Sequence, residues 1–354
     1  VNPATLTVTG TKTYDGTTVF STGTLSVSGA VNGETVTLTA GSGTSSSANV
    51  NTYTQSPLTG LAISVSGGHA LSSNYSLPST GTLTITPAAL TLSLVGTKVY
   101  DGSNVFNASE ITASGLVGGD TLGTATAVSA NVAANGSNHF TGFTLSSGNA
   151  SNYQLVSGYN ATTNSATITP ATLTYTANSS TSTYGTTPSV NSGTVTGFVN
   201  SDTQANATTG TLLFSTGATA TSNVGNYSVT GSGLTANNGN YVFAQASGNS
   251  TALTVNPATL TVTGTKTYDG TTSFSTGLSV SGFVNSETAS GYTATAHSAN
   301  VSSNGSNYLT GITWTGGTAT PSNYQTTGSY SATQNAMSIS PATRTYTANS
   351  STST

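Results

Sequence analysis

Apolar residues alternate with threonine along most of the chain, as in Thr5-Leu6-Thr7-Val8-Thr9 and Thr82-Leu83-Thr84-Ile85-Thr86. A period of two with β-branched neighbours turns one side of an extended segment toward a core and the other toward water, so the pattern predicts half-buried strands. No stretch carries an apolar 3.6-residue period long enough for a substantial helix, and the chain reads as all-β. In the opening segment the predicted strands lie near Ala4–Thr9, Leu25–Ser28, Thr35–Thr39, Ser46–Val50, Leu61–Ser66, Tyr75–Leu77 and Thr82–Thr86. Clusters of Gly, Asn, Ser or Asp separate them and favour turns. Seven short strands in roughly 85 residues suit an immunoglobulin-like β-sandwich of two antiparallel sheets. A β-solenoid would repeat nearer every 20 residues or so and is not expected.

The same pattern returns several times. A Pro-Ala element followed by an apolar strand recurs at Pro3, Pro87, Pro170, Pro257 and Pro341, and Val1–Thr18 reappears unchanged as Val255–Thr272. This predicts domains at 1–86, 87–169, 170–256 and 257–340, with 341–354 opening a fifth unit, so the sequence is expected to be a fragment of a longer array. Linkers are nearly absent: each predicted last strand runs through one proline into the next first strand. Proline fixes φ and donates no ladder hydrogen bond, which suits a stiff junction between sheets. Tandem sandwiches joined this way should form an elongated rod, each unit adding about 35 to 45 Å at a strand rise near 3.3 Å per residue.

Two kinds of unit alternate. Those at Pro3, Pro87 and Pro257 share Gly-Thr-Lys-x-Tyr-Asp-Gly, with Lys12, Tyr14, Asp15 and Gly16 in the first, Lys98, Tyr100, Asp101 and Gly102 in the second, and Lys266, Tyr268, Asp269 and Gly270 in the third. An aromatic follows each Tyr (Phe20, Phe106, Phe274), then Ser-Ala-Asn-Val (Asn49, Asn131, Asn300) and Ser-Asn-Tyr (Tyr75, Tyr153, Tyr324). The unit at Pro170 instead carries Tyr184-Gly185, Gly197-Phe198-Val199-Asn200-Ser201-Asp202, Asn223-Val224 and Asn240-Tyr241. The first kind resembles the YDG domain and the second the MBG domain, and this ordered series of motifs spans the whole chain. The resemblance implies the repetitive shaft of a large secreted bacterial adhesin of the filamentous-haemagglutinin type, exported by two-partner secretion. Many YDG units carry Gly-Thr-Gly-Lys after the Asn-Val; here Asn51-Thr52-Tyr53-Thr54 and Ala133-Ala134-Asn135-Gly136 stand there instead.

Composition narrows the function. Charged residues make up 3% of the chain, against about 25% in ordinary soluble domains. Four basic residues cannot neutralise a nucleic-acid backbone. No apolar run reaches the ~18 residues of a membrane-spanning helix. Cysteine is absent and the three histidines are scattered, which leaves little for nucleophilic, acid–base or metal chemistry. No catalytic residue, cofactor or metal site is expected, and the chain is read as a non-enzyme.

Three of the basic residues fall at one equivalent position. Lys12, Lys98 and Lys266 could each contact the Asp three residues on, worth about 0 to 1 kcal/mol if exposed. They could instead form intramolecular isopeptide bonds to an Asn such as Asn49 or Asn74, with Glu34, Asp120 or Glu287 as proton shuttle. The unit at Pro170 has no Lys, so such a staple could not serve the whole array. Glu34, Asp120, Asp202 and Glu287 each precede Thr and read as turn residues. Calcium at junctions would need clustered carboxylates, whereas these acids come singly. Tyr75, Tyr153, Tyr241 and Tyr324 are expected to anchor the cores, with Phe20, Phe106 and Phe274 beneath the Asp-Gly turn. His69, His139 and His297 have no common place in their units.

These readings converge on an extracellular, bacterial cell-surface stalk or matrix fibre serving adhesion or biofilm cohesion. Low net charge and threonine-rich sheet edges without Lys favour self-association. The alternative is a repeat that binds a cell-surface glycan or receptor, with Trp314 as the candidate aromatic.

Overall fold

The computed structural model describes residues 1–68, 71–90, 94–155, 160–326 and 332–349. His69 and the end of the fifth unit lie outside the described residues. The described chain is β-structure joined by short helical turns, and among these residues no helix is long and apolar enough to cross a membrane. It forms two compact units. The first comprises Val1–Ala171, Phe198–Ala207 and Ala236–Val242; the second comprises Thr172–Gly197, Thr208–Thr235 and Phe243–Thr354.

In the first unit the alternation becomes strands as expected. Thr7–Thr13 turns Val8 and Lys12 inward and its threonines outward. It pairs antiparallel with Leu25–Ser28 and parallel with the last strand of the same repeat, Thr9 to Thr13 lying opposite Thr82 to Thr86. Leu6, Val8, Phe20, Leu83 and Ile85 make its core. In the second repeat Val95–Val99 pairs parallel with Ala166–Thr169 in the same way, over Leu94, Phe106, Phe140 and Ile168. In the second unit one core cluster runs from Tyr175 to Ile339. There Ser180–Thr183 pairs parallel with Leu253–Asn256, and the strand Ala258–Thr267 pairs parallel with Met337–Ser340. The repeats are therefore sandwich-like units of small sheets that are not wholly antiparallel, because an early strand and the last strand lie side by side running the same way. Alternation alone cannot distinguish the two pairings.

Linkers are single residues. One strand ends at Thr86 and the next begins at Ala88; Thr169 and Ala171, and Asn256 and Ala258, are likewise separated only by proline. A short 3₁₀ turn precedes each Asn-Tyr in Ser72–Asn74, Ala150–Asn152 and Pro321–Asn323. The Tyr then opens a strand that pairs parallel with the Pro-Ala element of its own repeat.

One predicted strand is absent: Ser46–Val50 is a series of bends. Its backbone is committed elsewhere, with the Val50 N–H donated to Asn152 Oδ1 at 2.8 Å. The strand that follows, Asn51–Ser66, pairs first with Thr80–Thr86 and then with Thr35–Thr44. At the matching place the second and fourth repeats have short turns, Val132–Ala134 and Val301–Ser303. The edge of the last strand is closed there by an asparagine. Asn135 Nδ2 donates to Ile168 O at 2.8 Å and its Oδ1 accepts from Ile168 N at 3.0 Å; Asn304 does the same to Ile339 at 2.7 and 2.9 Å. A carboxamide carries one donor group and one acceptor on adjacent atoms, so it can replace a peptide of a missing neighbouring strand. Thus the departures noted after Asn-Val supply an edge strand in one repeat and an amide clip in another.

Replacing Asn135→Ala should leave the Ile168 N–H and C=O unpaired and lower stability by about 1–3 kcal/mol. A reduced urea midpoint, together with faster hydrogen exchange at Ile168 than in the native chain, is the expected result.

Candidate functional site

The Tyr-Asp-Gly segment is held by its lysine. Lys12 Nζ donates to Asp15 Oδ1, Thr17 O and Thr17 Oγ1, each at 2.8 Å, and to Val19 O at 2.9 Å. Lys266 repeats the arrangement with Asp269, Thr271 and Ser273, and Lys98 with Asp101 and Val105. The ammonium also lies 5.1, 5.0 and 4.9 Å from the ring centres of Phe20, Phe106 and Phe274, a favourable cation–π distance. Lys12 and Lys98 are only 8% and 4% exposed, so these are not loose surface pairs. Burial pushes the Asp15 and Asp101 carboxyls up, but bonds from the lysine and from a backbone N–H outweigh it and hold both below the usual range. At Asp269 the Lys266 bond leads and brings the carboxyl down to about 2.

The clamped loop positions a tyrosine for a second device, which sequence reasoning missed. The acids do close turns, as expected: the N–H of Glu34, Asp120, Asp202 and Glu287 donates to the carbonyl of Val31, Val117, Val199 and Val284. Residues at positive φ, such as Asn32, Gly118, Asn200 and Asn285, shape these turns. The turn also presents its carboxylate to tyrosine. Within each repeat the Tyr of Asn-Tyr accepts from the Val N–H at 3.1 or 3.2 Å. The same hydroxyl donates to the acid: Tyr75 to Glu34, Tyr153 to Asp120 and Tyr241 to Asp202 at 2.6 Å, and Tyr324 to Glu287.

In three cases the carboxylate takes a second tyrosine, from the preceding repeat. Tyr14 donates to Asp120 at 3.0 Å, Tyr100 to Asp202 at 3.0 Å, and Tyr184 to Glu287 at 2.7 Å. The two rings of each pair meet edge to face at 5.5, 5.2 and 5.6 Å. Beside them the Asn of Asn-Tyr reaches the Asn-Val of the preceding repeat. Asn152 Nδ2 donates to Asn49 Oδ1 at 3.0 Å, Asn240 to Asn131 at 2.8 Å and Asn323 to Asn223 at 2.8 Å. The N–H of Val50, Val132 and Val224 returns a bond to the same asparagine. The MBG-like repeat thus enters the same contact through Tyr184-Gly185, with neither Lys nor Asp.

Glycine at the third motif position is required twice over. Gly16 and Gly102 have φ near 78°, where a side chain is strained. A Cβ on Gly16 would also lie 2.4 Å from the Gly118 Cα, and one on Gly102 would lie 2.7 Å from Asn200. Tyr268 is 44% exposed, where Tyr14 and Tyr100, each met by an Asp of the following repeat, are 7% exposed.

The remaining candidates have local roles. Trp314 is half-buried, donates to Ala319 O at 3.0 Å and packs edge-on against Phe283. His139 bonds Ser137 O, and His297 stacks on Tyr308. Among the described residues no group of three or more His, Cys, Asp or Glu could hold a metal ion. A signal for the acids was present: they recur at one place in every repeat of a chain with eight acidic residues.

Burial, then the bond to the acid, raises Tyr153, Tyr241 and Tyr324 to about 12, and moves Tyr14, Tyr100 and Tyr184 upward. A raised pKa contributes stability that is whole below the unfolded value near 10 and is lost as pH climbs through the folded value. Unfolding free energy should therefore fall between about pH 10 and pH 12, and Tyr241→Phe should flatten part of that fall. On the acid side the lowered Asp269 stabilises above the unfolded carboxylate range and ceases to as pH drops through about 2. Urea titrations across pH, with tyrosinate absorbance, measure both limbs.

Two domain-family profiles match the chain. The YDG domain profile matches residues 1–82, 86–164 and 251–334, and the MBG domain (YGX type) profile matches 173–251. No curated protein and no solved structure matches the chain. Domains of these two families are typically found in extracellular bacterial surface proteins. With more than half its length matched by the YDG profile, the chain belongs to the YDG domain family.

Proposed function

We propose that this chain is the structural, non-enzymatic stalk of an extracellular bacterial adhesin or matrix fibre, built from modules at 1–86, 87–169, 170–256 and 257–340. The observation that carries this reading is the junction: each consecutive pair of repeats shares a carboxylate between two tyrosines and an Asn–Asn bond. Modules meant to swing freely would need no such contact, and one-residue proline connections already limit their freedom. The stalk is immunoglobulin-like in style, semi-rigid, and located at the cell surface, reached by two-partner secretion. Its near-neutral surface favours association between stalks. Trp314 packs inward, which speaks for a structural rather than a glycan-binding repeat.

The lysines act here as non-covalent clamps. Each ammonium is surrounded by oxygens of its own loop, the Asp among them. The intact mass should therefore equal that of the sequence, whereas isopeptide bonds would lighten the chain by one ammonia each.

Electron microscopy at low salt tests the stalk itself. Straight particles as long as the summed modules, single or bundled, are expected, and Asp120→Ala with Asp202→Ala should make them bend at the affected junctions. Native particles that already bend freely at every junction would refute the reading.

A further inference from the structure

We propose that each repeat is a mechanical shear clamp, so that the chain bears tension along its length. The inference rests on the stalk reading for its biological use but on the strand pairing for its physics.

In every repeat the strand that leads into Tyr14, Tyr100, Tyr184 or Tyr268 and the last strand are hydrogen-bonded parallel neighbours. Thr9–Thr13 lies against Thr82–Thr86, Gly96–Val99 against Ala166–Thr169, Ser180–Thr183 against Leu253–Asn256, and Gly264–Thr267 against Met337–Ser340. Tension reaches the strand leading into the tyrosine from its N-terminal side and leaves at the C-terminal end of the last strand. On parallel strands these two forces point in opposite directions along one axis. They slide the strands past each other and load the evenly spaced ladder bonds together. In an antiparallel hairpin pulled at its open end, the bonds would instead break one at a time.

The clamp is finished identically in all four repeats. Beyond the ladder, the N–H of Tyr14, Tyr100, Tyr184 and Tyr268 donates to Thr86, Thr169, Asn256 and Ser340, each at 2.8 Å. In the YDG repeats a hydroxyl of the last strand also bonds the lysine carbonyl of its parallel neighbour: Thr86 to Lys12, Thr169 to Lys98 and Ser340 to Lys266, at 3.2, 3.2 and 3.3 Å. The ammonium of that same lysine ties the strand end to the loop behind it, through Val19 O, Val105 O and Ser273 O. This strand therefore resists peeling from its far end. This gives the buried lysine a mechanical purpose in a chain that uses charge so sparingly.

The test is single-molecule force spectroscopy on the full chain. Pulled from its two ends, it should give discrete ruptures, each releasing on the order of 300 Å for a repeat of about 85 residues at roughly 3.5 Å per residue, less its folded length. Because the chain has no cysteine, Thr9→Cys with Thr82→Cys places two handles on register partners at one end of the first repeat's ladder, where pulling unzips it. Rupture between these handles should need several-fold less force than rupture from the ends. In Lys12→Met the end-to-end force of one repeat should fall while the others keep theirs. Equal forces in the two geometries, or gradual lengthening without ruptures, would overturn the proposal. Straight particles that rupture equally in both geometries would leave the stalk reading standing; freely bending particles with the predicted anisotropy would do the reverse.

Discussion

A carboxylate held between two tyrosine hydroxyls, one from each of two successive repeats, is the contact on which the arrangement depends. Hydrogen bonds to an ionised acceptor are roughly twice as strong as neutral ones. The acceptor is also hard to abandon, because an acid left without donors in a poorly solvated site is costly. The nearby features serve this contact. The valine turn aims the acid, the 3₁₀ turn delivers Asn and Tyr together, and the motif glycine lets two backbones approach. The lysine clamp fixes the loop from which the outer tyrosine reaches.

Charge is concentrated in two devices. Lys12, Lys98 and Lys266 with their aspartates hold loops, and Glu34, Asp120, Asp202 and Glu287 meet tyrosines, which leaves only Glu110 and Arg344 for other work. Glu110 closes a capping box with Asn107. Elsewhere asparagine does what charge does in other proteins. Asn138 and Asn307 bond both the N–H and the C=O of Ser129 and Ser298, and Asn249 joins Ala177 to Tyr175. Among the described residues only the Ser180 hydroxyl is buried without a partner. Asn135 and Asn304 each close part of a last-strand edge in their repeats by bonding Ile168 and Ile339.

Much of the fold was legible because threonine alternation is a local signal: Thr80–Thr86 covers the strand expected at Thr82–Thr86, whereas the strand expected at Ala4–Thr9 is split into Ala4–Thr5 and Thr7–Thr13 and runs on to the motif tyrosine. Phe20, Phe106 and Phe274 lie buried under their turns as expected. The failures share a cause. Ser46–Val50 looks like a strand, but the Val50 N–H serves an asparagine 102 residues away and the Asn49 N–H bonds Ser47 Oγ. The acids look like turn residues, and are, yet their second partner is 102 to 106 residues distant. Propensity reads neighbours in sequence, and a contact between repeats is invisible to it. What remained visible was recurrence: the same acid, Asn-Val and Asn-Tyr at one place in each repeat.

The most direct measurement of coupling between repeats is a double-mutant cycle across one junction, pairing Tyr100→Phe in the second repeat with Asp202→Asn in the third and reading urea unfolding. Residues in direct contact give interaction energies of about 0.5–3 kcal/mol, whereas independent sites add. A coupling of about 1 kcal/mol or more is the predicted result. Simple additivity would mean that the tyrosine and the carboxylate stabilise their own repeats separately, and it would contradict a junction built on the bond between them.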